Sequence, residues 1–216
     1  TASGAYSLYA NTSGFQNTAL GWRALYVNTT GAYNTASGVA ALASNTTGIG
    51  NIASGHSALY SNTTGNYNAA LGGLVGNTTG SYNTSAGSYA LDKSTTGAYN
   101  SALGSGALGN STTASFNAAT GWRALYNTTT GGYNSAFGNH ALVSNITGFD
   151  NTAIGHYADV GSGDLTNATA IGNGAIVNAS NKIRLGNTDV TVIEGQVAFS
   201  SASDRRLKKD ISKTLG

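Results

Sequence analysis

Few side chains of this chain combine the types and spacing that catalysis or metal binding requires. The three histidines, His56, His140 and His156, fall at positions just after recurring glycines, where we expect them to be exposed, and the chain has no cysteine. A zinc site needs several His, Cys or carboxylate ligands brought together, and no carboxylate stands at such a spacing. A Ser-His-Asp arrangement is not supported either, because Asp is scarce. The sequence therefore predicts no metal site and no cofactor.

A recurring aromatic position is the first candidate for ligand recognition. Its members in five consecutive repeats are Tyr67, Tyr82, Tyr99, Phe116 and Tyr133. A row of exposed rings can stack on the sugar rings of a host glycan. The same rings can instead stack on one another and stiffen the chain, which is the interpretation we prefer.

The phrase Asn-Thr-Thr-Gly, which closes most repeats, raises two further binding hypotheses. Ice binding needs threonines on the same side of a strand, whereas adjacent threonines beside a glycine point in opposite directions. The phrase also creates Asn-x-Ser/Thr sequons, so a glycosylating host could decorate one edge of the molecule. The glycosylation candidates are Asn28, Asn45, Asn62, Asn77 and Asn145.

All these residues recur because the chain repeats one 17-residue phrase. The phrase opens with Asn, and successive openings are 17 residues apart except for one step of 15 between Asn68 and Asn83. Ala stands two places after the Asn in nearly every copy, Gly follows two places later, and an Ala-Leu pair comes next. Such fixed self-similarity is typical of a solenoid in which each unit buries its face against its neighbours.

The repeat length and its glycines indicate which solenoid this is. Helical repeats need about 33 residues, whereas 17 residues suit two short strands of four to six residues, each ended by a turn. The predicted turn glycines include Gly21, Gly38, Gly55, Gly104 and Gly121, because glycine adopts left-handed conformations easily. We therefore predict an all-β fold, a parallel β-solenoid or β-roll of 17-residue coils. Its Asn, Ala and Gly columns point inward, and the Asn column forms an amide ladder.

The composition indicates which kinds of partner the chain can bind. A coil with such small inward residues buries little apolar area, and outward Ala, Leu, Val and Ile favour self-association, so we predict a homotrimer. Only 8% of residues are charged and the first 181 residues contain few cations, which argues against nucleic-acid binding. No apolar run approaches the ~20 residues that span a bilayer. The absence of Cys fits an extracellular chain, and a start partway into a repeat, without Met, indicates a fragment or processed product.

The repeated phrase Ala-Leu/Ile-Gly-x-x-Ala, at residues 19–24 and 153–158, resembles the head repeats of trimeric autotransporter adhesins. That resemblance implies a left-handed parallel β-roll assembled as a trimer. The adhesin repeat is usually shorter, so the extra residues here are expected to lengthen the Asn-Thr-Thr-Gly turn.

The C-terminal stretch KIRLGNTDVTVIEGQVAFSSASDRRLKKDI, residues 182–211, resembles the junction of phage tail-fibre and tailspike proteins that carry an endosialidase-type intramolecular chaperone. In that family a Ser-Asp-x-Arg-x-Lys motif marks the point of self-cleavage after trimer assembly. The resemblance places cleavage between Ser203 and Asp204, with Lys208 as the candidate base that activates the Ser hydroxyl. Few residues follow Ser203, so we expect autoproteolysis only with the full chaperone domain and predict no other enzymatic activity.

Three regions follow from these observations: a solenoid over residues 1–181, a β neck over 182–203 and the start of a chaperone domain over 204–216. We expect a structural or adhesive segment of a trimeric extracellular fibre, either a phage tail fibre or a bacterial surface adhesin. Its partners would be two further copies of itself and a host-surface glycan or receptor. The alternative is a solenoid that binds a glycan or ice through an exposed Tyr or Thr ladder.

Overall fold

The computed structural model describes residues 1–194, which wind into a parallel β-solenoid as the repeat predicts. Within these residues twelve strands form one parallel sheet and two form a second. The predicted cleavage residues Ser203, Asp204 and Lys208, together with residues 204–216, lie outside the described part of the chain. The strands are β1 (Ala2–Ser3), β2 (Thr18–Leu20), β3 (Thr35–Ser37), β4 (Ile52–Ser54), β5 (Ala69–Leu71), β6 (Thr84–Ala86), β7 (Ser101–Leu103), β8 (Ala118–Thr120), β9 (Ser135–Phe137), β10 (Thr152–Ile154), β11 (Asp159–Val160), β12 (Thr169–Ile171), β13 (Ile176–Val177) and β14 (Ile183–Leu185).

Most coils contribute one three-residue strand, which begins directly after the opening Asn. Ala19 pairs with Ala36 and Ala36 with Ala53, an offset of one repeat each time. The offset shortens at two places, between β5 and β6 and between β12 and β14. Equivalent residues therefore lie directly above one another, with the strand spacing of about 4.8 Å setting the rise per coil.

The other half of each coil differs from the sequence prediction. After the Gly column the chain passes through turns in which alternate residues have positive φ, for example Arg23 at 55° and Leu25 at 52°. Left-handed residues do not continue a strand, yet the turns still bond between coils, as from the Leu25 N–H to the Ala41 carbonyl (3.0 Å). The prediction of two strands of four to six residues per coil was therefore wrong. Within residues 1–194 a second strand forms only as β11 and β13.

The predicted glycine turns are confirmed. The predicted glycines have φ between 123° and 142°, a range that residues with a side chain rarely adopt. They also pack against one another, since a Cβ added to Gly104 would lie 2.5 Å from the Gly121 carbonyl oxygen. The Gly column thus fixes both the turn and the close approach of neighbouring coils.

Two apolar columns fill the interior along the length of the coil. The strand alanines, such as Ala19 and Ala36, are fully buried, and so are the leucines of the Ala-Leu pairs, such as Leu25 and Leu42. In the coil that contains β11, buried Val160 takes over the role of the leucine. The thin core expected from the small inward residues is the one observed.

Buried asparagines form two polar columns rather than the single one predicted. In the column that opens each repeat, Oδ1 of Asn17 accepts from the backbone N–H of Asn34 (2.9 Å), and its Nδ2 donates to the Gly31 carbonyl (2.8 Å). The second column consists of the Asn-Thr-Thr asparagines, in which Nδ2 of Asn45 donates to Oδ1 of Asn28 (2.8 Å). Because these amide groups are hydrogen-bonded, they can be buried inside the narrow coil without a large loss of stability.

Candidate functional site

The outward face of the twelve-stranded sheet carries a row of exposed apolar side chains. They come from the third residue of each strand, since the middle residue points into the core and its neighbours point out. Ser37, Ser54, Ala86 and Thr120 interrupt the row in the first part of the chain. Four large members then follow without interruption, and all are exposed: Phe137, Ile154, Ile171 and Leu185.

The aromatic column stacks in register over five coils. Ring centroids of Tyr82 and Tyr99 lie 4.9 Å apart with planes 6° from parallel, and those of Phe116 and Tyr133 lie 4.8 Å apart at 2°. Each of these residues also has φ near 60°, an uncommon conformation for an aromatic residue. The sequence correctly grouped these residues.

Stacking leaves the inner rings of this column little room for a ligand. The faces of Tyr82, Tyr99 and Phe116 are each covered on both sides by neighbouring rings, so only ring edges and hydroxyl groups reach solvent. A sugar recognised by face-to-face stacking needs an uncovered ring face. The geometry therefore supports the interpretation that the column stiffens the coil.

The glycosylation candidates occupy the second asparagine column. All five side chains, from Asn28 to Asn145, are fully buried. The Nδ2 atom that a glycan would modify already donates inside the coil, for example from Asn62 to Asn45 (2.8 Å) and to the Gly65 carbonyl (3.0 Å). This burial argues against glycans at these positions, because the folded coil needs the amides for its own hydrogen bonds. The sequon pattern is a by-product of the turn.

The Asn-Thr-Thr threonines also serve the coil. The first of each pair, such as Thr29, donates its hydroxyl to the carbonyl of the equivalent residue one coil on, Thr46 (3.0 Å). The second, such as Thr30, is exposed. The phrase thus presents a single row of threonines to solvent, whereas an ice-binding face was expected to need side chains two residues apart on one strand side.

The histidines lie apart from any metal-binding geometry. His56 and His156 are exposed, but His140 is half-buried, which corrects the expectation that all three face solvent. The ring of His140 stacks on Tyr157 (4.6 Å, 5°) and meets the Trp122 ring edge-on. Burial, reinforced by the positive charge of Arg123, lowers the pKa of His140 below its ordinary value of 6.5.

Among residues 1–194 no three His, Cys or carboxylate side chains cluster so as to hold a metal ion, and no helix is long and apolar enough to cross a membrane.

Sequence reasoning missed a notch at the shortened coil. That coil lacks the two residues that follow the column glycine in other repeats, so Gly72 is followed directly by Gly73 and Leu74. The gap has a volume of about 510 Å³, and its lining includes the polar side chains of His56, Ser88 and Asp92 from the adjoining coils. The 15-residue step was the signal that pointed to it.

Sequence reasoning also missed two cationic aromatic clusters. In the first, the Arg23 guanidinium carbon lies 4.6 Å from the ring centroid of Trp22 and 5.0 Å from that of Tyr26. In the second, Arg123 lies 5.0 Å from the Trp122 ring and 4.8 Å from the Tyr126 ring. The signal was the identical phrase Gly-Trp-Arg-Ala-Leu-Tyr, which stands at residues 21–26 and again at 121–126.

No family model, curated protein or solved structure matches this chain.

Proposed function

We propose that this chain is a structural and adhesive segment of a trimeric extracellular fibre, of the kind found in phage tail fibres or bacterial surface adhesins. The observation that carries the proposal is the exposed apolar row on the sheet. A contiguous exposed apolar patch is typical of an interaction site, and the uninterrupted members from Phe137 to Leu185, one on each successive strand of the main sheet, suit a second rod lying alongside.

The interior of the coil supports the same proposal. Its columns are Ala, Gly and Asn with one Leu per coil, so each coil buries little apolar area on its own. Packing copies along the apolar row would add the burial that the thin core lacks. The row is densest from Phe137 to Leu185, so association is expected to be strongest in the C-terminal coils.

The role as a rod follows from the parallel register. Eleven successive pairings join the twelve strands of the main sheet, which at about 4.8 Å per step gives a length of roughly 50 Å. Such a segment holds a terminal binding element away from a surface, and its sides offer space for attachment. The resemblance of the C-terminal stretch to tail-fibre junctions points the same way.

The mass in solution tests the proposal. We expect sedimentation equilibrium to give three times the chain mass of 21.6 kDa. Replacing Ile154 and Ile171 with Asn should shift the mass toward one chain, because both side chains project outward from the sheet. Replacing Val27 and Val39, exposed residues outside the strands, with Asn is the matched control and should leave the trimer intact. A single-chain mass for the parent protein at high concentration would refute the fibre assignment.

A further inference from the structure

The two Gly-Trp-Arg-Ala-Leu-Tyr phrases are more alike than the fold requires. The column of Arg23 holds Ala40 in the next coil and Ser57 in the one after, so the turn accepts small side chains there. Arg23 and Arg123 adopt the same positive φ, 55° and 54°, as the small residues of that column, Ala40 at 57° and Ser57 at 55°. The rings of the phrases make contacts between coils, Tyr26 with Tyr9 and Trp122 with His140, but neither the turn nor those ring contacts require the arginine that both phrases retain.

In each cluster two aromatic rings hold the guanidinium group. Contact with two rings within about 6 Å is a cation–π arrangement, and it limits the motion of an otherwise flexible side chain. A planar guanidinium held in this way presents its N–H groups as a fixed fork. Arg23 and Arg123 are themselves exposed, so the fork is open to solvent.

The two guanidinium groups differ from the other cations of residues 1–194 in their hydrogen bonding. Within residues 1–194 neither one hydrogen-bonds to the chain or pairs with a carboxylate, whereas other cations there do find acceptors. Nζ of Lys93 donates to Asn110 (2.8 Å), Nζ of Lys182 to Asn178 (2.9 Å) and Nε of Arg184 to Gly186 (2.9 Å). As far as residues 1–194 are concerned, the donors of Arg23 and Arg123 are left for an external acceptor.

We propose that the two clusters are equivalent sites for the anionic groups of an extracellular polysaccharide. An arginine fork binds a carboxylate or sulfate through two parallel hydrogen bonds, and the adjoining exposed Trp supplies apolar surface for the sugar ring. At the first site a groove of about 350 Å³ runs beside Arg23, with Trp22, Tyr26 and Tyr60 among its lining residues. This inference deepens the attachment role in the proposed function and rests on it for the extracellular setting.

The spacing of the sites suits a polymer. The two phrases are six coils apart, which places them roughly 29 Å from each other at about 4.8 Å per coil. An extended acidic polysaccharide can occupy both sites at once, and the second contact then forms at a high effective concentration. Binding to a long chain should therefore exceed binding to a single sugar unit.

Three polymers with one backbone test the proposal: carboxymethyl-dextran, dextran sulfate and uncharged dextran, with binding followed by biolayer interferometry. We expect the parent protein to bind at least one charged polymer and not dextran. Arg23→Ala with Arg123→Ala should weaken that binding about a hundredfold, and either change alone about tenfold, since each charged hydrogen-bonded contact contributes on that scale. Because Ala40 already occupies the same column, the variants should fold normally.

The control variant carries Lys93→Ala and Lys182→Ala, which removes the same charge from sites without flanking rings. Unchanged binding by this control supports the proposal, and an equal loss in both double variants would show a non-specific charge effect and overturn it. Full binding by Arg23→Lys with Arg123→Lys would also overturn it, because a point charge would then suffice. A trimer that binds none of the three polymers defeats this inference alone, whereas a monomer that binds a charged polymer and not dextran defeats the fibre assignment alone.

Discussion

Single side chains decide whether the second asparagine column is continuous. Nδ2 of Asn77 donates to Asn62 (2.7 Å), but the next coils carry Ser94 and Ser111 in the column, too short to continue it. As a result Oδ1 of Asn77 and the hydroxyl groups of both serines are buried without a partner among the described residues. Unpaired buried polar groups lower the free energy of unfolding, so this break is a weak point in the interior.

Replacing Ser94 with Asn should repair the column. The new amide can donate to Asn77 and to the Gly97 carbonyl, and its oxygen can accept from the Ser111 hydroxyl. We expect the free energy of unfolding to rise by about 1–3 kcal/mol, measured by urea denaturation. Ser94→Ala is the matched control and should change stability little, since it deletes an unpaired hydroxyl without restoring the amide. Equal midpoints for the two variants would mean that the column does not contribute as described.

A buried carboxylate gives the chain a pH dependence. Burial raises the pKa of Asp159 above its ordinary 3.8, although hydrogen bonds from the backbone N–H groups of Ser144 and Val160 oppose the rise. A carboxyl whose pKa is higher in the folded state stabilises the fold at low pH and loses that contribution as pH rises through the folded-state pKa. Asp159→Asn removes this loss, so its melting temperature relative to the parent should increase between pH 3.5 and pH 7.

The comparison variant is Asp164→Asn, which removes the same charge from an exposed position. His140 acts in the opposite direction. Its lowered pKa means that stability is present above pH 6.5 and falls as the pH drops through the folded-state value. A constant difference for Asp159→Asn would show that the carboxylate is solvated in the folded protein.

At the scale of the single coil, contact with the next coil depends on the Gly column. A Cβ at Gly104 would lie 2.5 Å from the Gly121 carbonyl oxygen, but one at Gly55, above the shortened coil, meets nothing nearer than 3.5 Å. Both positions have strongly positive φ, 136° and 123°, so Ala should cost about 1–2 kcal/mol of backbone strain at each.

The clash should add about 1–3 kcal/mol at Gly104 alone. We therefore expect Gly104→Ala to unfold at a clearly lower urea concentration than Gly55→Ala. Equal urea midpoints for the two variants would mean that the coils at Gly104 move apart to admit the new Cβ without any loss of stability, which would contradict this explanation.

The strand half of each coil was predictable from sequence, and the turn half was not. Along each strand, positions that face the core keep one residue type from repeat to repeat, whereas positions that face outward vary. Buried Ala19 and exposed Leu20 are examples. The Ala-Leu pair has the same apolar character whether extended or turned, so nothing in its composition revealed the left-handed backbone of Leu25. Likewise, sequons read alone gave no sign of the burial of Asn28, which follows from its partner one coil away.

The sequence predicted one of the candidate sites but not the other. The aromatic column and the stacking of its rings were both predicted from the repeat, and the structure adds that both faces of the inner rings are covered. The arginine clusters depend on the relation between Arg23, Trp22 and Tyr26 in space. An identical hexapeptide within a chain that otherwise varies those positions was the only sequence signal for them.

The whole molecule is a stack whose stability comes from nearest-neighbour contacts, so a change of residue type within a column affects the contact between two coils. Among the described residues the strand Ala column runs from Ala2 to Ala170, with Ser85 as its one substitution, and Arg184 of β14 then pairs with Ala170 of β12. The Nε atom of Arg184 donates to the Gly186 carbonyl. An inward charge on an edge strand is a known means of preventing further strand addition, and within residues 1–194 β14 pairs in the main sheet with β12 alone.

Removing that charge should let the β14 edge pair more readily with another copy. Arg184→Ala extends the Ala column to β14, so we expect light scattering to show species larger than the parent assembly, increasing with protein concentration. Lys182→Ala removes an equal charge from an exposed side chain just outside β14 and should behave like the parent. The new contact would consist of backbone hydrogen bonds and small side chains rather than ion pairs. The association should therefore persist at high salt. An Arg184→Ala protein of unchanged mass would show that other features of the chain terminate the stack.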